Sequence, residues 1–140
     1  LQAIKYGVIR TKSKLPVSER LKILFEGFTR LIDAYKPDEI AVEELFFNKN
    51  AKTIISVGEA RGTALLAGAL SDIDIYEYTP LQVKQAVVGY GRADKGQVQS
   101  MVKILLNLES LPKPDDAADA LATAICHINS SGFKDLSERG

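Results

Sequence analysis

Three carboxylates, Glu43, Asp116 and Asp119, have the residue type and placement for metal chemistry. Asp116 and Asp119 stand three apart in the stretch DDAADALA, a spacing that puts both on one face of a helix. The surrounding alanines are small and let that helix approach a sheet closely. Glu43 closes the apolar run Ile40-Ala41-Val42, where a strand should leave the core. The carboxyl ends of strands are where open α/β sheets gather their functional groups. Carboxylate oxygens suit a hard cation such as Mg²⁺, which keeps several of its waters. Two such ions about 4 Å apart activate a water and stabilise the leaving oxygen in phosphoryl transfer. The chemistry open to these acids is therefore metal-assisted hydrolysis of a phosphodiester, with two Mg²⁺ per site and Mn²⁺ as a substitute.

Each acid also has an ordinary explanation. Acids in the first turn of a helix complement its dipole, and a glutamate at a strand end can simply face water. Alternation puts Glu43 and Glu44 on opposite sides of the strand, so at most one of them points into a given site. No competing soft-ligand site exists, because His127, the only histidine, and Cys126, the only cysteine, are neighbours on a helix with no ligand partner at useful spacing.

The elements that must position these residues alternate in type. Residues 2–11 (QAIKYGVIRT) read as a strand. Pro16 and Ser18 open a helix that carries Leu21, Leu24, Phe25, Phe28, Leu31, Ile32 and Tyr35 at helical spacing and stops before Pro37-Asp38. Residues 39–43 (EIAVE) read as a buried strand, and FFNKNAK as a loop. A helix over 52–70 has Ile54, Ile55, Leu65, Leu66 and Leu70 on its apolar side and contains Gly58, Gly62 and Gly68. Each glycine costs about 1 kcal/mol in a helix interior, so close packing is expected at some of them. Residues 73–78 form a further strand, 80–88 a short helix, GYGRADKG (89–96) a glycine-rich loop, and about 95–107 and 115–129 two more helices. The pattern is α/β, with a sheet covered on both faces. One domain over residues 1–130 and a polar, frayed tail over 131–140 are expected.

Composition narrows the class. Apolar residues at 46% and charged residues at 26% are ordinary for a globular chain of 140 residues, which is long enough for a full core. No apolar run approaches the roughly 20 residues of a membrane span, and the start, LQAIKYGVIRTKSK, carries no secretory signal. A lone cysteine excludes an internal disulfide framework and fits a reducing, cytoplasmic compartment. Net charge is zero, which argues against binding nucleic acid over the whole surface and directs attention to local basic groups. Lys49 and Lys52 lie beyond Glu43, and Lys84, Arg92 and Lys95 surround the glycine loop, where a backbone without Cβ atoms allows close approach to phosphate. Either group can equally be a solvated face. Phe46 and Phe47 sit in the polar loop after Glu43; one of them exposed would stack on a base for ~1–3 kcal/mol, and the alternative is that they fold back onto the core.

The segments AVEELFFNKNAKT, ARGTALLAG, PLQVKQAVVGYGRADKGQVQSMV and DDAADALATAICH, in that order and spacing, resemble RuvC, the family of bacterial Holliday junction resolvases. The similarity runs from about residue 4 to 129. It implies an RNase H-like fold with a mixed sheet flanked by helices, and a homodimer that nicks two opposing strands of four-way junction DNA with divalent metal. A RuvA/RuvB branch-migration complex is the implied partner. On this resemblance Glu43, Asp116 and Asp119 match the family's catalytic, metal-binding acids, while Asp115 and Glu44 match less well. Lys84 and Lys95 match lysines used at the site and Phe46 matches an aromatic at the junction centre, while Lys52 and Arg92 stay DNA-binding candidates on their place in the sequence.

The chain departs from the family at one point. The family's first catalytic aspartate lies in a glycine-rich GIDPG-type motif on the first strand, and this chain contains no such motif. Its start, IKYGVIRT, looks like the family's third strand. With a sheet order of 3-2-1-4-5, the strand at 2–11 is expected to lack a neighbour, the strand at 39–43 to show an open edge, and the native chain to be longer at its N-terminus. Two other readings stay open: a junction-binding module with an incomplete catalytic site, and an RNase H-like nuclease acting on RNA, as YqgF-like proteins are read.

Overall fold

The computed structural model describes the backbone of residues 1–44 and 51–139 and the side chains of residues 1–44 and 53–130. The chain divides into two compact units. The first holds Leu1–Val8, Ala41–Glu44 and the chain from Glu77 onward; the second holds Ile9–Ile40 and the described residues up to Tyr76.

The second unit is built on two helices. Helix α1, Val17–Tyr35, starts after Pro16. It stops where Lys36 turns left-handed (φ 46°) and donates its N–H to the Ile32 carbonyl, just before Pro37. Its partner is α2, Ala51–Leu70. Gly27 of α1 is buried against Ile9, whose Cδ1 would lie 2.9 Å from an added Cβ. Gly68 of α2 has the same role: an added Cβ would meet Ile75 at 2.9 Å and Ile40 at 3.0 Å. Gly62 has nothing within 4 Å, so close packing explains one of these two α2 glycines and not the other. The expected apolar side of α2 is also narrower than the sequence suggested. Ile54 and Leu65 are half-buried, whereas Ile55, Leu66 and Leu70 are exposed. Adjacent helical residues point about 100° apart, so Ile54 with Ile55, or Leu65 with Leu66, cannot both face inward.

Strands β1, Glu39–Glu43, and β2, Asp74–Tyr78, pair in a parallel sheet, which is the only sheet among the described residues. Their adjacency is the neighbouring of fourth and fifth strands that the resemblance implied. The strand expected at 2–11 is not formed, because no described segment lies alongside to complete a ladder. β1 is half-buried rather than buried beyond its exposed first residue.

The core of the first unit lies under three helices. Helix α3, Pro80–Val88, is opened by a reciprocal capping box between Thr79 and Gln82 and closed by Gly89 at φ 95°. Helix α4, Lys95–Leu105, is opened by the same device between Asp94 and Gln97. Helix α5, Asp115–Arg139, runs ten residues past the expected stop at 129. Gly132 costs about 1 kcal/mol there, too little to end a helix already propagating. Val83, Val87, Val98, Val102, Leu121, Ala122, Ile125 and Cys126 form one buried cluster, and Val102 is fully buried. Ala117, Ala118 and Ala122 have no exposed surface, consistent with the close approach expected of small residues on α5.

Candidate active site

Glu43, Asp116 and Asp119 all fall within the first unit. Glu43 is half-buried at the last position of β1, where the sequence put it, and Glu44 beside it is exposed. The strand end is held by the Glu44 N–H, which donates to the Tyr78 carbonyl at 2.7 Å. Asp116 is exposed in the first turn of α5, and Asp119 is half-buried one turn later. The helix start is fixed by the Pro114 carbonyl, which accepts from Ala117 N–H at 2.9 Å. Thr123 Oγ1 donates to the Asp119 carbonyl at 2.8 Å and so leaves the Asp119 carboxylate out of that bond.

Asp115 is hydrogen-bonded to another helix. Its Oδ1 accepts from Gln99 Nε2 at 2.6 Å, which links the start of α5 to the middle of α4. That bond uses one lone pair of the Asp115 carboxylate.

Among the described residues no three His, Cys, Asp or Glu side chains converge closely enough to hold a metal by themselves. The donor chemistry still fits Mg²⁺, which commonly takes one or two protein carboxylates and fills its remaining positions with water and substrate oxygen. Glu43, Asp116 and Asp119 are the residues that would hold it.

The basic residues of the same unit lie on short elements. Lys84 is half-buried on α3, Arg92 is exposed between α3 and α4, and Lys95 is exposed at the first position of α4. The glycine loop between them is more structural than the sequence suggested. Gly89 supplies the left-handed cap of α3, and the side chain of Leu81 occupies the space a Cβ on Gly91 would need. Phe46, Phe47 and Lys49, and the side chain of Lys52, lie outside the described residues.

The sequence reading missed two polar links beside this site. One is Gln99 to Asp115; the other joins the Tyr78 hydroxyl to His127 Nδ1 at 2.6 Å. The D-x-x-Q and T-x-x-Q spacings do betray the two capping boxes, but nothing local in the sequence pairs residues 49 positions apart.

One compact unit of this α/β chain thus carries carboxylates at a strand end and a helix start, and lysines on two short helices. The family model for crossover junction endodeoxyribonuclease RuvC matches residues 1–127. The protein of that name from Alkaliphilus metalliredigens is 58% identical over 135 residues, covering 96% of this chain and 82% of its own length. Its counterpart from Halothermothrix orenii is 63% identical over 129 residues, covering 92% of this chain and 78% of its own length. Among solved structures, Thermus thermophilus RuvC in complex with Holliday junction substrate superposes with a TM-score of 0.90 at 33% identity, over 95% of this chain and 81% of that one. A second structure of Thermus thermophilus RuvC gives 0.87 at the same identity, over 95% and 80%. The chain belongs to the RuvC family of endodeoxyribonucleases, and its fold is RNase H-like.

Proposed function

We propose that this chain is the nuclease domain of a Holliday junction resolvase, with residues 1–130 acting as one functional domain. It nicks two opposing strands of four-way junction DNA by Mg²⁺-dependent hydrolysis. The observation that carries the reading is that Glu43, Asp116, Asp119, Lys84, Arg92 and Lys95 belong to one compact unit of a chain in this family. The complex of Thermus thermophilus RuvC with a Holliday junction supports the substrate class.

In this mechanism Glu43, Asp116 and Asp119 would hold the cation. Bound Mg²⁺ supplies a polarised phosphate and an activated water for in-line attack. Lys84 and Lys95 neutralise charge that builds on the phosphate in the transition state. Arg92 and Lys52 hold backbone phosphates, and Phe46 stacks at the opened junction centre. A junction with two equivalent cleavage points calls for two sites related by a two-fold axis, hence a homodimer. Handover from a RuvA/RuvB complex and a reducing, cytoplasmic setting complete the proposal. Among the described residues no helix is long and apolar enough to cross a membrane.

The test offers labelled four-way junction, linear duplex and RNA–DNA hybrid to the full chain with Mg²⁺. Paired nicks in the junction and intact linear substrates are expected. Junction binding without cleavage would instead identify a binding module, and preferential hybrid cleavage an RNA-directed nuclease.

A further inference from the structure

The three acids come from two elements, β1 and α5, so something must set one element against the other. Tyr78 touches both. Its carbonyl accepts from the Glu44 N–H at 2.7 Å, directly after Glu43. Its hydroxyl lies 2.6 Å from Nδ1 of His127 on α5, with ring centroids 5.7 Å apart and ring planes tilted by 52°. His127 is buried, and its neighbour Cys126 donates Sγ–H to the Gln82 carbonyl on α3 at 3.6 Å. Two consecutive α5 residues are therefore fastened to the β2–α3 junction, and α3 also carries Lys84.

The helix transmits this fastening. Asp116 precedes His127 by eleven residues, which is three turns plus about 20° of rotation and ~16 Å along the axis. The intervening turns are tightly packed: Ala117, Ala118, Ala122 and Ile125 are at most 1% exposed. A packed helix of that length moves as a unit, so a change of tilt or register at His127 reappears at Asp116 and Asp119.

We propose that Tyr78 is a positioning residue whose hydrogen bond to His127 sets α5 against the end of β1, and so fixes Asp116 and Asp119 relative to Glu43. The proposal rests on the reading of those acids as a divalent-cation site. Tyr78→Phe removes one oxygen while keeping the ring and the backbone bond to Glu44.

The experiment measures binding of Mn²⁺ alone to the full chain by electron paramagnetic resonance, beside metal-free junction binding and Tm. Tyr78→Phe is expected to weaken Mn²⁺ binding about tenfold, the usual scale for residues that orient metal ligands, with metal-free junction binding unchanged. His127→Gln keeps a hydrogen-bonding group and is expected to retain more Mn²⁺ affinity than His127→Leu, a comparison that holds even if Tyr78→Phe folds poorly. A lowered Tm with Mn²⁺ binding equal to that of the parent chain makes the bond purely structural and overturns the proposal. If the parent chain itself binds no Mn²⁺, the reading of the three acids fails, and the positioning role falls with it.

Discussion

Asp115 and Asp116 are adjacent, equally acidic and both exposed, yet they differ in what their carboxylates do. Asp115 accepts a 2.6 Å hydrogen bond from Gln99, a task an amide oxygen can also perform. Asp115→Asn is therefore expected to leave single-turnover junction cleavage and its Mg²⁺ requirement unchanged. A loss as large as that from Asp116→Asn would move the catalytic role to Asp115. Cys126 shows a different residue-level effect. Burial pushes its thiol above the ordinary value of 9.0, and a side-chain hydrogen bond with Ser130 partly offsets the rise. A folded-state pKa above the unfolded one gives a contribution fully present below pH 9.0 and lost as pH rises toward the higher folded value. Urea midpoints of the parent chain are expected to fall relative to Cys126→Ala as pH rises above 9.0 toward that value. Parallel curves for the two proteins would contradict it.

At the level of elements, the capping boxes decide where the short basic helices begin. Asp94 Oδ1 accepts from Gln97 N–H at 2.8 Å, and the Gln97 side chain returns the bond to Asp94 N–H at 2.9 Å. Asp94→Ala should cost about 1 kcal/mol by urea denaturation and speed amide exchange at the start of α4, where Lys95 sits. Unchanged exchange there would show that packing alone fixes the helix start. Elements of this kind were legible in the sequence because their signals are local: the stop before Pro37 and the apolar run ending at Glu43. Residues 2–11 misled because a strand exists only with a neighbour, and alternation carries no information about one. The exposed Ile55, Leu66 and Leu70 misled because adjacent apolar residues cannot share one helix face. The positions of Glu43 at a strand end and of Asp116 and Asp119 near a helix start were also legible. The Tyr78–His127 and Gln99–Asp115 links, which bring distant segments together, were not.

On the scale of the molecule, the site depends on the packed helices beneath it. Ile125 is 1% exposed at the centre of the cluster that joins α3, α4 and α5. Ile125→Ala should destabilise the chain by about 2–5 kcal/mol in urea denaturation, and a loss below that range would mean that the cluster relaxes into the cavity. The central claim is that the acids at the end of β1 and the start of α5 are a cleavage site for branched DNA. It is tested most directly by setting Asp116→Asn beside the parent chain on a labelled four-way junction with Mg²⁺, scoring nicks and binding in the same samples. The expected result is paired nicking by the parent chain, and for Asp116→Asn full junction binding with no cleavage. Mg²⁺-dependent nicking retained by Asp116→Asn would contradict the account.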